Sequence, residues 1–221
     1  MAAAHDERAG PPGGGTSLLT YVLIDGENLD ATLGSSVLGR RPAPDERPRW
    51  ERVVQFAERV WGVPVRTLFF INASSGNLPM PFVQALLALG IRPLPLSGPP
   101  GMKVVDVGIQ RTLEAIAGRR GNVLLGSHDA DFVPQIEALL GDDRFGGDRL
   151  GGDRLGEDRL ADDRAVGVLA FRELLSNRYR ELVGRGLQIF DLEDDAGCFN
   201  LVLPRVRVIE IDRFDPAPFL D

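Results

Sequence analysis

Apolar residues gather along this chain in short runs that end on polar groups, and between those runs they recur at helical spacing. The run Tyr21-Val22-Leu23-Ile24 stops at Asp25-Gly26-Glu27-Asn28, which predicts a buried strand with Asp25 at its carboxyl end. From Trp50, the positions Val53, Val54, Ala57, Val60 and Trp61 fall on one helical face, and Gly62 supplies the stop. Residues 63–71 predict a second strand with Asn72 at its end. Residues 82–89 predict a short helix closed by Gly90, and 91–96 a third strand that Pro93 and Pro95 assign to a sheet edge. Val104–Ala117 carries the clearest helical stripe, Val105, Ile109, Leu113 and Ile116, with Gly118 as terminator. A fourth strand follows at Asn122–Gly126, then Ser127-His128-Asp129-Ala130-Asp131 and a helix over 132–140. Further on, 166–171 reads as a strand, 171–184 as a helix, 187–192 as a strand, and 200–211 as a last strand that adds at an edge. Residues 31–49, rich in Gly, Ser, Pro and Arg, read as a long connection with one helical turn in it.

Strands alternating with helices of these lengths imply a three-layer α/β/α sandwich around a mainly parallel sheet. Ligands of such sheets bind outside the carboxyl ends of the strands, where the strand order reverses. With strands one and four adjacent, Asp25, Asp129 and Asp131 would converge there. The single domain would span 18–211, between a tail at 1–17 containing Pro11-Pro12-Gly13-Gly14-Gly15 and a second tail at 212–221. Five tandem pentapeptides, GDDRF-GGDRL-GGDRL-GEDRL-ADDRA, occupy 141–165 and match neither helical nor strand periodicity, so they read as a low-complexity insertion.

Charge narrows the function. A net charge of -7 is the wrong sign for holding nucleic acid by charge alone, so such a role needs local basic patches or metal ions. Cys198 is the only cysteine, which excludes an intrachain disulfide and a cysteine-based zinc site and suits a reducing cytoplasm. No apolar run approaches the ~18 residues of a membrane-spanning helix, so no membrane partner is expected. Of 25 basic residues only Lys103 is a lysine.

Each acid also has an ordinary structural role. Asp25 suits a turn or a helix N-cap, Asp131 precedes a helix with Pro134 in its first turn, and Asp106 suits the positive end of the helix from Val104. Asp129 has no such local role. Asn28 could ligate, bond to Asp25 or cap a turn, while Glu27 is expected to point to solvent. Ser127, His128 and Asp129 are consecutive and cannot assemble a hydrolase triad, and Glu27 stands where a haloacid-dehalogenase-type phosphatase needs its second Asp. Several carboxylates brought together require a cation. Oxygen ligands of this kind favour Mg²⁺ or Mn²⁺ over zinc.

The segments Ile24-Asp25-Gly26-Glu27-Asn28, Lys103-Val104-Val105-Asp106 and Ser127-His128-Asp129-Ala130-Asp131-Phe132-Val133-Pro134 resemble, in order and spacing, the three motifs of the NYN family, a PIN-like, LabA-like nuclease group. The similarity covers roughly residues 18–190, with 141–165 as an insertion. It implies a PIN-like fold and a metal-dependent ribonuclease. Asp25, Asp106, Asp129 and Asp131 would be its catalytic and Mg²⁺- or Mn²⁺-binding residues, supported by Asn28, Ser127 and Lys103. The expected partner is RNA, single-stranded or structured, with Arg40, Arg41, Arg119 and Arg120 as backbone contacts and a homodimer left open. The alternative is a non-catalytic RNA-binding or regulatory module on the same fold.

Overall fold

A computed structural model describes residues 18–141, 164–209 and 211–220. The tail at 1–17 and nearly all of the pentapeptide insertion lie outside the described residues. Six strands form one sheet: β1 (Thr20–Asp25), β2 (Val65–Asn72), β3 (Arg92–Leu96), β4 (Asn122–Gly126), β5 (Val166–Ala170) and β6 (Leu187–Asp191). Their order is β3-β2-β1-β4-β5-β6 and every pairing is parallel, so the order reverses between β1 and β4.

The pleat sends alternate residues to opposite faces, and both faces are covered. Val22 and Ile24 of β1 pack with Leu29 of α1 (Gly26–Thr32) and Leu33 just beyond it, with Val53, Phe56 and Ala57 of α2 (Trp50–Trp61), and with Val83 and Leu86 of α3 (Met80–Ala88). Leu23 faces the other way, into a cluster with Ile109 and Leu113 of α4 (Val104–Ala117), Ile136 of α5 (Val133–Leu139), and Tyr179 of α6 (Asn177–Glu181). This is the expected three-layer α/β/α arrangement. Burial on both faces explains why β4 and β5 read as unbroken apolar runs.

The helical stripes predicted at Val104–Ala117 and from Trp50 form as read, the latter ending on Gly62 at φ 64°. Three segments differ. Residues 31–49 hold more helix than the one turn expected, because α1 is capped by Asp25 and continues as a π-helical stretch over Leu33–Leu38, with Leu29 and Leu33 one turn apart on the buried face. The helix expected over 171–184 is broken into a 3₁₀ turn (Arg172–Leu174), α6 capped by the Ser176 hydroxyl, and a second 3₁₀ turn (Val183–Arg185).

The edge strand expected over 200–211 is not formed among the described residues. Arg205 is the reason. Its side chain, 2% exposed, turns inward to ion pairs with Glu173, Asp191 and Glu193 at 2.5, 2.6 and 3.0 Å, and its guanidinium lies over the Phe171 ring at 4.9 Å. The segment is therefore a strap across the ends of β5 and β6, held by one buried charge cluster. Burial alone would raise the Asp191 pKa, but Arg205 and the backbone N–H groups of Arg172, Glu193 and Asp194 hold it below the usual carboxylate range. Residues 211–220 form exposed 3₁₀ turns. No described helix is long and apolar enough to cross a membrane.

Candidate functional site

β1 ends at Asp25 and the chain turns at once into α1. A Cβ on Gly26 would stand 2.2 Å from the Phe69 ring of β2, so only glycine lets the helix start this close to the sheet. Asp25 is 3% exposed. Its Oδ1 accepts the Asn28 amide at 3.2 Å, the N-cap expected of it, while Oδ2 accepts the Ser127 hydroxyl of the neighbouring strand end at 3.0 Å. Burial pushes its carboxyl up to about 6. The two hydrogen bonds act against that rise, and the nearby charges of Asp106 and Asp129 add to it. The buried acid thus lacks a sufficient positive neighbour.

After β4, the loop 127–131 is folded by its own side chains. Ser127 Oγ accepts the Asp129 amide at 3.1 Å, and Asp129 Oδ1 accepts the Asp131 amide at 2.8 Å. The local roles of the two acids are thus the reverse of those expected: Asp129 is the cap, and Asp131 is the more exposed first-turn residue. From below, the buried Tyr179 hydroxyl donates to the Asp129 carbonyl at 2.6 Å. A ladder of hydrogen bonds therefore fixes where Asp129 stands.

His128 holds the two strand ends together. The backbone N–H of Phe171 must donate, so His128 Nε2 accepts it at 2.8 Å and the proton of the neutral ring sits on Nδ1, facing Asn28 Oδ1 at 3.3 Å. Burial lowers the His128 pKa to about 4, in keeping with a neutral ring. The same Asn28 oxygen accepts the His128 amide at 2.8 Å. Asn28 Oδ1 is thereby fully engaged, leaving its NH₂ group to face the crevice that Asn28 lines. With its oxygen so engaged, Asn28 is better suited to donate from its NH₂ group than to hold a cation.

The third segment enters at the start of α4. Lys103 Nζ stands 3.3 Å from both Asp106 and Asp131, and these two contacts raise its pKa. Carboxylate oxygens of Asp106, Asp129 and Asp131 lie within 4.8 Å of one another. Asp25 is outside that trio but lines the same cavity of about 540 Å³ as Asp106 and Asp129. Glu27 lines it too; exposed as the sequence led one to expect, it also accepts the Asn72 amide at 3.2 Å and so secures the end of β2.

The donor set fits a hard divalent cation. Ligand oxygens about 2.1 Å from one Mg²⁺ stand roughly 3–4 Å apart, so the trio would draw closer around an ion. The Lys103 ammonium, shared by two of its members, already marks a place where positive charge is favoured.

Asp25, Asn28, Lys103, Asp106 and Asp129 thus line one crevice from three separate segments, with Ser127 buried behind Asp25 and Asp131 held beside Asp106 by Lys103. The four arginines are not. Arg119 and Arg120 follow the far end of α4, about 20 Å along its axis from Val104, at the amino-terminal edge of the sheet. Arg40 and Arg41 follow the far end of the helical stretch that begins at Gly26, and Arg40 is tied up by both oxygens of Glu46 at 2.7 and 2.5 Å. Tyr179, Arg178 and the pinning role of His128 carry no sequence signal, since each acts through contacts between segments roughly 50 or 100 residues apart.

No family model matches the sequence, and no curated protein matches it. Among solved structures, the chain is similar to a protein of unknown function from Vibrio parahaemolyticus, at 19% identity and a TM-score of 0.54, over 83% of this chain and 98% of that one. At that identity the likeness is one of fold.

Proposed function

We propose that this chain is a PIN-like metal-dependent ribonuclease of the NYN type, whose carboxylates hold Mg²⁺ or Mn²⁺ against an RNA phosphodiester. The observation that carries the reading is the trio Asp106, Asp129 and Asp131, with oxygens within 4.8 Å, beside the buried, cation-deficient Asp25. Asp106, Asp129 and Asp131 would hold the ion, and Asp25 would complete its surroundings from the floor of the crevice. Ser127 and His128 set the positions of Asp25 and Asn28. The ion's chemistry is to acidify an attacking water and to offset the charge that grows on the phosphoryl oxygens. Asn28 offers its NH₂ group to a phosphate oxygen, and Lys103 is free to move from the carboxylates to the phosphate once a divalent cation takes its place.

A second reading, a non-catalytic RNA-binding module, is favoured by Lys103 alone, because its ammonium already supplies a cation to Asp106 and Asp131. Purified protein incubated with single-stranded RNA separates the two. Cleavage that requires Mn²⁺ or Mg²⁺, stops with chelator and is lost in Asp25→Asn supports the nuclease. RNA left intact by the wild type, or cut equally by both forms, contradicts it.

A further inference from the structure

We propose that Arg178 and Arg180, on α6, form a phosphate-binding shelf that leads single-stranded RNA into the carboxylate crevice, an inference that rests on the ribonuclease reading. The shelf is built into the site. Tyr179, fully buried between these two arginines, anchors α6 through its hydroxyl to the Asp129 carbonyl at 2.6 Å. Arg178 and Arg180 remain exposed on either side. Arg178 Nη1 reaches the carbonyl of Ala130, the residue between Asp129 and Asp131, at 3.4 Å. Arg180 Nη2 donates to the Arg172 carbonyl at 2.7 Å, on the turn that follows β5.

Their partners and their place together set these two apart. Arg40, Arg47, Arg172, Arg205 and Arg207 each pair with a carboxylate, whereas Arg178 and Arg180 meet only carbonyl oxygens among the described residues. Arg52 and Arg164 also meet no carboxylate among these residues, but they contact residues 197–200 and 116–121, away from the acid loop. Each guanidinium has five N–H donors, so each keeps most of its fork for a phosphate. A polyanion cannot approach four clustered acids in a chain of net charge -7 without cations beside them. Arg178 supplies that charge at the residue between Asp129 and Asp131, and Arg180 extends it to the turn after β5, where Arg40, Arg41, Arg119 and Arg120 do not reach. An acidic peptide would find the same cations, but its carboxylates would then face the crevice's own acids with nothing there to react.

The test uses the full chain with a fluorescein-labelled 12-nucleotide oligouridylate, in Ca²⁺ across a salt series, with Mn²⁺-dependent cleavage measured in parallel. The Arg178→Ala/Arg180→Ala variant is expected to bind at least tenfold more weakly, with a log K against log salt slope shallower by about 1.4, the value for two lost phosphate contacts. Arg178→Lys/Arg180→Lys should restore most of the slope. Arg92→Ala/Arg119→Ala, at the opposite edge of the sheet, should bind like the wild type. Unchanged affinity and slope in the alanine pair overturns the shelf, while surviving Mn²⁺-dependent cleavage leaves the nuclease reading in place. Shelf-dependent binding without any cleavage keeps the shelf and removes the nuclease. No RNA binding by the wild type, or displacement of RNA by polyglutamate at lower concentration than by unlabelled RNA, also overturns the shelf.

Discussion

The Ser127 hydroxyl donates to Asp25 at 3.0 Å and accepts the Asp129 amide at 3.1 Å, so one side chain joins the acid that ends β1 to the acid that follows β4. Ser127→Ala removes both bonds at a fully buried position, at a cost of about 1–2 kcal/mol. It also takes away one of the two hydrogen bonds that hold the Asp25 pKa down, so that pKa should climb further above 6. Divalent-ion binding followed against pH should then show its midpoint moved to higher pH in Ser127→Ala. An unmoved midpoint would mean that the hydroxyl does not act through Asp25.

Asp25 itself should destabilise the metal-free protein at neutral pH. Its folded pKa of about 6 lies above the ordinary 3.8, so its contribution to stability is complete below pH 3.8 and is lost as pH rises through 6. Asp25→Asn, which carries no charge, should raise the stability of the metal-free protein at pH 7.5 by up to about 3 kcal/mol, with little difference at pH 3.8. His128 works in the opposite direction: its folded pKa of about 4 lies below 6.5, so its contribution is complete above pH 6.5 and declines towards pH 4. Because both forms retain His128, its effect cancels in the comparison. Thermal melts in chelator at the two pH values check this, and a variant less stable than wild type at pH 7.5 contradicts it.

Lys103 bridges Asp106 and Asp131 at 3.3 Å from each, the place that a divalent ion would take. Lys103→Ala should therefore tighten Mn²⁺ binding, by roughly threefold for one exposed competing charge, while weakening RNA binding. Weaker Mn²⁺ binding in the variant would show that the ammonium organises the acids and does not compete for them.

Arg205 closes the core over the carboxyl ends of β5 and β6. With its side chain 2% exposed among Glu173, Asp191 and Glu193, Arg205→Met leaves three carboxylates without their shared cation. The expected cost is about 3–5 kcal/mol, read as a lower urea midpoint. A smaller loss, under about 1 kcal/mol, would place the strap's stability elsewhere.

The helices Trp50–Trp61 and Val104–Ala117 and the strand Asn122–Gly126 were legible because local pattern and tertiary burial agree there. At residues 200–211 they disagree. Val206 and Val208 alternate with Arg205 and Arg207 as in a strand, yet the valines are exposed and Arg205 is the inward group. Nothing in the local sequence reveals that three acids from other segments await it. The candidate site was legible as a set of acids at strand and helix ends, since the parallel order brings those ends together. Its supports were not, because Tyr179 and His128 act through a few long-range hydrogen bonds that leave no periodic trace. The place of the arginines was hidden for a related reason: Arg119 and Arg120 are adjacent in sequence, but the length of α4 carries them to the edge away from the crevice.

Calorimetric titration of the full chain with Mn²⁺ tests the central claim most directly, with Asp129→Asn as the comparison. Asp129 belongs both to the oxygen trio and to the cavity it shares with Asp25. The account expects saturable binding of one or two ions to the wild type, weakened roughly 100-fold or more in the variant. A wild type that binds no Mn²⁺, or a variant that binds it equally well, contradicts the account.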